Sequence, residues 1–196
     1  MPSPSTPTTR YLWVVRHGKA ASDAPWGGGD RERPLTARGR RDAAALGRRM
    51  AGEHPPFGLD GVLLPDLAIC SAAVRTRQTA ELILAQLGRR VPLDAYRSLY
   101  EVETDAVLSH LREIDEGVTS TLLVGHNPTV YRLVWELTTG EAAGTGEAAG
   151  PSTGHARLEA HGFPTCSVAV LALRIGAWED VAHGCATLAG LFGPPY

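Results

Sequence analysis

Two arginines and two histidines of this sequence stand close behind apolar runs. Arg16 and His17 directly follow the run at residues 12–15, His126 directly follows a second run, and Arg75 lies five residues beyond the end of a third. Arginine offers a planar, permanently charged fork that suits phosphate, and histidine acts as nucleophile, acid or base near neutral pH. Because no cage of carboxylates accompanies these residues, they predict an oxyanion site that works without a metal or another cofactor.

The apolar runs have the length and composition of buried strands, and amphipathic segments separate them. Such alternation predicts an α/β fold with a mostly parallel central sheet. In these sheets ligands bind beyond the carboxyl ends of the strands, so the residues behind the runs are expected to converge at one edge. The predicted strands cover residues 11–15, 67–70, 91–96 and 120–125, and the predicted helices cover about 37–51, 74–87, 104–114 and the segment after Pro128.

The remaining segments complete a single predicted domain at residues 10–196, preceded by a disordered tail at 1–9. Residues 140–162 contain "GEAAG" twice and predict a flexible surface loop. Residues 166–174 and 178–184 predict a closing pair of strands, after which "LFGPPY" is interpreted as a tail. Asn127 is expected to cap the helix that begins with Pro128.

Composition narrows the class of protein. The net charge of −2 and the pI of about 6.4 argue against nucleic acid as an obligatory partner, which requires a basic face. No apolar run approaches the roughly 20 residues of a membrane span, and the first residues do not resemble a secretory signal. Three cysteines form no C-x-x-C pair, which favours a reducing, cytoplasmic location. The sequence does not define an oligomeric state.

Five segments in order give the chain a resemblance to a known family. They are "VVRHGKA" (14–20), "DRERPLTARG" (30–39), "CSAAVRTRQTA" (70–80), "LLVGHNP" (122–128) and "FPTCSVAVL" (163–171). In this order they resemble the histidine phosphatase, or phosphoglycerate-mutase-like, superfamily, and most closely its SixA-type phosphohistidine phosphatases. The resemblance implies a three-layer α/β/α sandwich and a phosphorylated substrate, with a phosphohistidine-bearing protein as the favoured one.

The resemblance also assigns roles to individual residues. It implies that His17 is transiently phosphorylated, that Arg16 and Arg75 clamp the phosphate, and that His126 bonds the phosphoryl oxygens. The Gly18 carbonyl is expected to orient the His17 ring. The catalytic set is therefore Arg16, His17, Arg75 and His126, and the predicted substrate-binding set also includes Gly18, Lys19 and Asn127.

Two positions depart from the family pattern. Asp23 stands where many relatives carry asparagine, and a carboxylate facing phosphate would repel it, so Asp23 is expected to point away or to be protonated. The family's proton donor is also undefined here. "SLYEVETD" offers Glu101, Glu103 and Asp105, and Glu101 is the first choice as general acid.

Four alternatives remain beside the phosphohistidine phosphatase. The nearest shares the fold and hydrolyses a small phosphate ester. A mutase is disfavoured because the chain lacks long enclosing insertions. A cysteine-dependent phosphatase requires five residues between its cysteine and arginine, whereas Cys70 and Arg75 have four between them. A non-catalytic phosphate-binding module conflicts with the presence of both arginines and both histidines.

Overall fold

The computed structural model describes residues 9–52, 56–139 and 153–196. Six strands form one sheet in the order β3-β2-β4-β1-β5-β6. The first four of these strands run parallel to one another, and β5 and β6 are antiparallel to their neighbours. The strands are β1 (Arg10–Arg16), β2 (Leu67–Ser71), β3 (Leu93–Tyr96), β4 (Ser120–Gly125), β5 (Val168–Leu173) and β6 (Ala186–Phe192).

Helices cover both faces of this sheet. They are α1 (Ala37–Gly52), α2 (Val74–Leu84), α3 (Thr104–Arg112), α4 (Thr129–Thr138) and α5 (Thr153–His161). Trp13 and Val15 of β1 pack with α1 and α2 on one face. Leu12 and Val14 pack with α3, α4 and α5 on the other. Because helices lie on both faces of the sheet, the three-layer α/β/α sandwich is confirmed. Burial of β1 on both faces also explains its continuous apolar run.

Helix α1 begins where the sequence predicted it to begin. The Thr36 hydroxyl accepts the backbone N–H of Gly39 at 3.0 Å, which satisfies one of the free donors of the first turn. The expected cap of α4 is wrong, since the helix begins at Thr129 behind Pro128 and no side chain caps it. The Asn127 amide instead donates to the carbonyl oxygen of Phe163 at 3.0 Å.

The end of the chain also differs from the prediction. Residues Trp178–Asp180 form a 3₁₀ turn, and the last strand is Ala186–Phe192, which includes part of the predicted tail. Trp178 is fully buried and its indole N–H donates to the Val118 carbonyl at 2.7 Å. The burial of Trp178 therefore decides the local structure of residues 178–180. Strand β6 was missed because an edge strand with several small residues shows little alternation of apolar and polar positions.

The predicted flexible loop at 140–162 is partly replaced by structure. Its second half contains α5, whose Leu158 is fully buried against the core. A short helix with a single deeply buried aliphatic residue gives a weak periodic signal. Residues 140–152 lie outside the described part of the chain. The predicted N-terminal tail at 1–9 also lies outside it, apart from Thr9. No helix within the described ranges is long and apolar enough to cross a membrane.

Candidate functional site

The carboxyl ends of β1, β2 and β4 meet at one edge of the sheet and bring the predicted residues together. Arg16 lies beside Gly125 in the paired strands, so His17 and His126 follow on adjacent strands. Their ring centroids are 5.2 Å apart, with the planes tilted by 60°. Arg75 projects from the first turn of α2, directly after β2.

The imidazole of His17 has a defined proton position. Its Nδ1 lies 2.7 Å from the carbonyl oxygen of Gly18. Because a carbonyl can only accept, Nδ1 carries the proton and Nε2 keeps its lone pair. Burial, with smaller contributions from Arg75 and Arg16 and against the opposing effect of the Gly18 bond, lowers the pKa of His17 to about 4. The ring is therefore neutral at pH 7.

The backbone around His17 is held from several sides. The His17 N–H donates to the Gly125 carbonyl at 3.1 Å. The Gly18 N–H donates to Thr79 Oγ1 at 3.0 Å, and that hydroxyl donates to the Arg75 carbonyl at 2.7 Å. Thr79 thereby links the segment after His17 to the first turn of α2.

Two glycines allow α1 to press against this segment. A Cβ on Gly18 would lie 2.8 Å from the Gly39 carbonyl oxygen, and a Cβ on Gly39 would lie 2.3 Å from the Lys19 carbonyl oxygen. Real Cβ atoms do not approach backbone oxygen this closely, so both positions require glycine. The start of α1 thereby fixes the position of the chain directly after His17.

The segment before β5 braces Arg16. Arg16 Nη1 donates to the Phe163 carbonyl at 2.9 Å, and the Arg16 backbone N–H donates to the Ser167 carbonyl at 3.1 Å. The Cys166 N–H bonds the carbonyls of both Arg16 and His17, at 3.0 and 3.1 Å. Burial lowers the pKa of the Arg16 guanidinium from its usual value, yet arginine remains charged at neutral pH.

His126 is buried beside His17. Its Nε2 lies 2.9 Å from the hydroxyl oxygen of Ser71. Burial, followed by the smaller effects of neighbouring His17 and Arg75, lowers the pKa of His126 to about 3. When the Ser71 hydroxyl donates to Nε2, the neutral ring carries its proton on Nδ1 and can donate it to a ligand.

Arg75 is 4 % exposed and is held by Asp30. Arg75 Nη1 donates to the Asp30 backbone carbonyl at 2.7 Å, and Nη2 donates to Asp30 Oδ2 at 2.8 Å. The Tyr100 hydroxyl donates to the same carboxylate oxygen at 2.5 Å. Arg33 Nε donates to the other oxygen at 2.7 Å. The Tyr100 bond, followed by those of Arg33 and Arg75, holds the pKa of Asp30 well below its usual range.

Three buried nitrogens of this cluster have no hydrogen-bond partner among the described residues. They are Arg16 Nε, Arg75 Nε and His126 Nδ1. Buried polar groups are normally paired because an unpaired one costs about 1–3 kcal/mol. Such donors, concentrated around one neutral imidazole, suit a tetrahedral oxyanion that accepts several hydrogen bonds at once.

The family comparison agrees with this chemistry. Residues 12–122 match the model of the histidine phosphatase superfamily (branch 1). The chain belongs to this superfamily. An uncharacterized protein of Mycobacterium tuberculosis is 34% identical over 180 residues, which cover 92% of this chain and 99% of that protein. The chain is a phosphatase with a histidine phosphatase fold.

Solved structures show the same fold. A candidate phosphohistidine phosphatase SixA from Nakamurella multipartitia superposes with a TM-score of 0.77 at 30% identity, covering 96% of this chain and 98% of that one. A phosphoglycerate mutase from Plasmodium falciparum superposes with a TM-score of 0.56 at 15% identity, covering 96% of each chain. The second likeness supports the phosphoglycerate-mutase-like fold alone.

Several predicted residues of this histidine phosphatase lie at the margin of the cluster. The side chain of Lys19 is exposed at the edge of the site. Glu101 is exposed and has a left-handed backbone with φ of 51°. Asp23 is exposed and accepts the Ser22 hydroxyl at 2.6 Å. The roles of Lys19, Glu101 and Asn127 stay predictions.

Sequence reasoning missed two partners of the histidine phosphatase cluster. Arg33 Nη2 lies 2.5 Å from Asp30 Oδ1, and the contact of Asp30 with Arg75 was not predicted. Tyr100 was overlooked because its segment was searched only for carboxylates. The position of Tyr100 just after β3 could have indicated it, since the other site residues also follow strand ends.

Proposed function

We propose that the chain is a metal-independent protein phosphohistidine phosphatase that works through a phosphohistidine on His17. The observation that carries this proposal is the neutral His17 ring, with Nδ1 bonded to the Gly18 carbonyl, beside buried donors of Arg16 and Arg75 that have no partner in the described part of the chain. A neutral imidazole with a free Nε2 is a nucleophile at pH 7. The neighbouring guanidinium groups supply the positive charge that phosphoryl transfer requires.

The reaction would have two steps. His17 Nε2 attacks phosphorus, a P–N bond forms, and the bond to the leaving group breaks while the leaving group takes a proton from solvent. Water then attacks phospho-His17 and releases a proton to solvent, the P–N bond breaks, inorganic phosphate departs, and the neutral imidazole returns. Arg16, Arg75 and His126 stabilise the equatorial phosphoryl oxygens in both transition states, and each such donor contributes roughly 3–4 kcal/mol in comparable sites.

The substrate class follows from the leaving group. Phosphohistidine releases an imidazole, which leaves readily once it is protonated, so a dedicated acid is less necessary than for an ester. The exposed position of Glu101 agrees with this, and so does the likeness to structures named SixA. A cytoplasmic location belongs to the same proposal, because intracellular histidine phosphorylation would supply the substrate and the described cysteines are all free.

Trapping the intermediate tests the covalent route. A phosphoramidate is stable in alkali and labile in acid. After rapid alkaline quenching with labelled phosphohistidine protein, we expect label on the parent chain. His17→Ala should lose both label and turnover, whereas His126→Ala should weaken labelling without moving it. Label on another residue, or a His17→Ala rate within about tenfold of the parent, would contradict the route.

Two further measurements test metal independence and substrate class. Turnover should persist in excess EDTA, since the clamp charges belong to Arg16 and Arg75. Activity that disappears with EDTA and returns with a divalent ion would overturn the first part. In a panel of phosphohistidine protein, sugar phosphates, nucleotides and an aryl phosphate, kcat/KM should be highest for phosphohistidine protein. A higher value for a small ester would instead support the alternative enzyme of the same fold.

A further inference from the structure

The geometry points to Asp30 and Tyr100 as a pair of positioning residues that fix the phosphate-clamping Arg75. This inference rests on the proposed function, because it assigns Arg75 to the phosphoryl group. Both terminal nitrogens of Arg75 donate to Asp30, one to its carbonyl and one to its carboxylate. The guanidinium is thereby held along one edge, and the buried Nε on its other side has no partner among the described residues.

Tyr100 connects the carboxylate to both sides of the clamp. Its hydroxyl donates to Asp30 Oδ2, the oxygen that also accepts Arg75 Nη2. Its ring meets the His126 ring edge-on, with centroids 5.4 Å apart, and lies 5.7 Å from the Arg75 guanidinium carbon. One side chain thus contacts the carboxylate that orients Arg75 and packs against the second predicted phosphate ligand.

The carboxylate has support beyond the clamp. Arg33 bonds Asp30 Oδ1 and also donates to the Ala21 carbonyl at 2.7 Å. Residues 20 and 35 form an isolated antiparallel bridge. This bridge closes the loop at residues 21–34, which contains Asp30, beside the segment after His17. Arg75 of α2 therefore lies between Tyr100, which follows β3, and the loop that carries Asp30, and its fork is preorganised before substrate arrives.

A positioning role predicts a specific kinetic effect for Asp30→Asn. The substitution keeps the size of the side chain and the backbone carbonyl contact, and it leaves the charge of Arg75 in place. Phosphate is still attracted, so KM for an aryl phosphate should change by less than about threefold. Orientation in the transition state is lost, so kcat should fall by roughly 10- to 100-fold.

Tyr100→Phe provides the second, milder variant. It removes one hydroxyl and keeps the ring against His126, so kcat should fall by about three- to tenfold with KM unchanged. Because the hydroxyl acts through Asp30, adding Tyr100→Phe to Asp30→Asn should lower kcat by less than about twofold more. Tyr96→Phe is the matched control, since Tyr96 ends β3 and its ring contacts that of His110, with centroids 4.4 Å apart and planes tilted by 36°.

Coupling to Arg75 decides the inference. In an Arg75→Ala background, Asp30→Asn should change kcat by less than about twofold, because the group that it positions is gone. Asp66→Asn is a control for the loss of a bonded carboxylate elsewhere: it should lower the melting temperature and leave kcat per folded molecule unchanged. A full 10-fold effect of Asp30→Asn in the Arg75→Ala background would overturn the inference.

Two other results would also overturn it. If Asp30→Asn raises kcat or tightens inhibition by inorganic phosphate, the carboxylate competes with phosphate instead of positioning its ligand. If Tyr100→Phe and Tyr96→Phe behave alike, the hydroxyl contributes nothing to the clamp. These rates are measured whatever residue becomes labelled, so failure of the phospho-His17 route is recognised separately by the trapping experiment.

Discussion

Strand β1 begins and ends with an arginine, and the two are used differently. Arg10 is 6 % exposed, and its terminal nitrogens donate to the carbonyls of Glu116, Val118 and Gly176. Its guanidinium also lies 5.9 Å from the centroid of the Trp178 ring. At the other end of the strand, Arg16 donates only one terminal nitrogen, to Phe163, among the described residues, whereas the Nε atoms of both arginines have no partner there.

The two carboxylates at opposite ends of the sheet show a related difference. Asp66, near the amino ends of β2 and β4, accepts the backbone N–H groups of Thr119 and Ser120 and the Thr119 hydroxyl, besides Arg89 at 3.3 Å. Within the described ranges, Asp30 accepts side chains only, among them Arg75. Charge at the amino end therefore ties backbone segments together, whereas charge at the carboxyl end positions other side chains. The same residue types stabilise the fold at one end and prepare a site at the other.

The largest expected effect separates the two arginines of β1. Arg16→Ala should lower turnover at least about a hundredfold, in line with the loss of one preorganised donor, with a small change in the free energy of unfolding. Arg10→Ala should leave three buried carbonyls with fewer partners and cost ~3 kcal/mol of stability, with turnover per folded molecule unchanged. Steady-state kinetics and urea unfolding of both variants measure the two quantities.

Arg16→Lys sharpens that test. A lysine restores the charge but lacks the planar fork, so it should recover little of the lost turnover. Arg10→Lys should recover part of the lost stability, because an ammonium can still donate to carbonyls. If the two alanine variants lost activity and stability in equal proportion, the division between the ends of β1 would be wrong.

The sequence predicted the parts of this arrangement that depend on neighbours along the chain. Arg16 ends β1, and His17 and His126 directly follow strands, so the convergence of these residues required only strand order and direction. The contact between Asp30 and Arg75 joins residues far apart in sequence and depends on the conformation of the loop at residues 21–34. No local pattern encodes that path. Strand β6 and helix α5 were missed for a related reason, since both are defined by tertiary packing more than by periodicity.

A second comparison uses two glycines of α1. A Cβ on Gly47 would lie 2.5 Å from the Ile83 carbonyl oxygen of α2, and a Cβ on Gly39 would lie 2.3 Å from that of Lys19. Either alanine should cost about 1–3 kcal/mol through overpacking. Gly39→Ala should also displace the chain after His17 and lower kcat by about tenfold. Thermal melts and turnover of both variants test this, and equal kcat values would refute it.

The buried histidines predict a pH dependence of stability. The pKa values of about 4 for His17 and about 3 for His126 lie below the unfolded value near 6.5. The unfolded chain therefore binds more protons between about pH 4 and 6.5. Stability contributed by the neutral rings is complete above pH 6.5 and is lost as the pH falls, by up to about 1.4 kcal/mol per pH unit for each histidine.

His17→Asn should remove part of that slope. Urea unfolding between pH 4 and 7 should show a shallower loss of stability on acidification than in the parent, because one of the two titrating rings is gone. Above about pH 7, where both histidines are neutral in the folded and unfolded chains, the pH dependence of the free energy of unfolding should be the same in variant and parent. A slope as steep as that of the parent would mean that the His17 pKa in the folded chain is close to its unfolded value.

The smallest expected effect concerns two adjacent residues of β2. Ser71 bonds His126 Nε2, so Ser71→Ala should free that ring and lower kcat by about fivefold. Cys70 is fully buried against α1 and α2, and burial raises the pKa of its thiol to about 12. A protonated thiol on the core face is not a nucleophile, so Cys70→Ala should change kcat by less than twofold and cost ~1 kcal/mol of stability. Successive side chains of a strand point to opposite faces, so Ser71 contacts the site while the adjacent Cys70 packs in the core. A large loss of turnover in Cys70→Ala without a matching loss of stability would return the cysteine to the mechanism and contradict the assignment of His17.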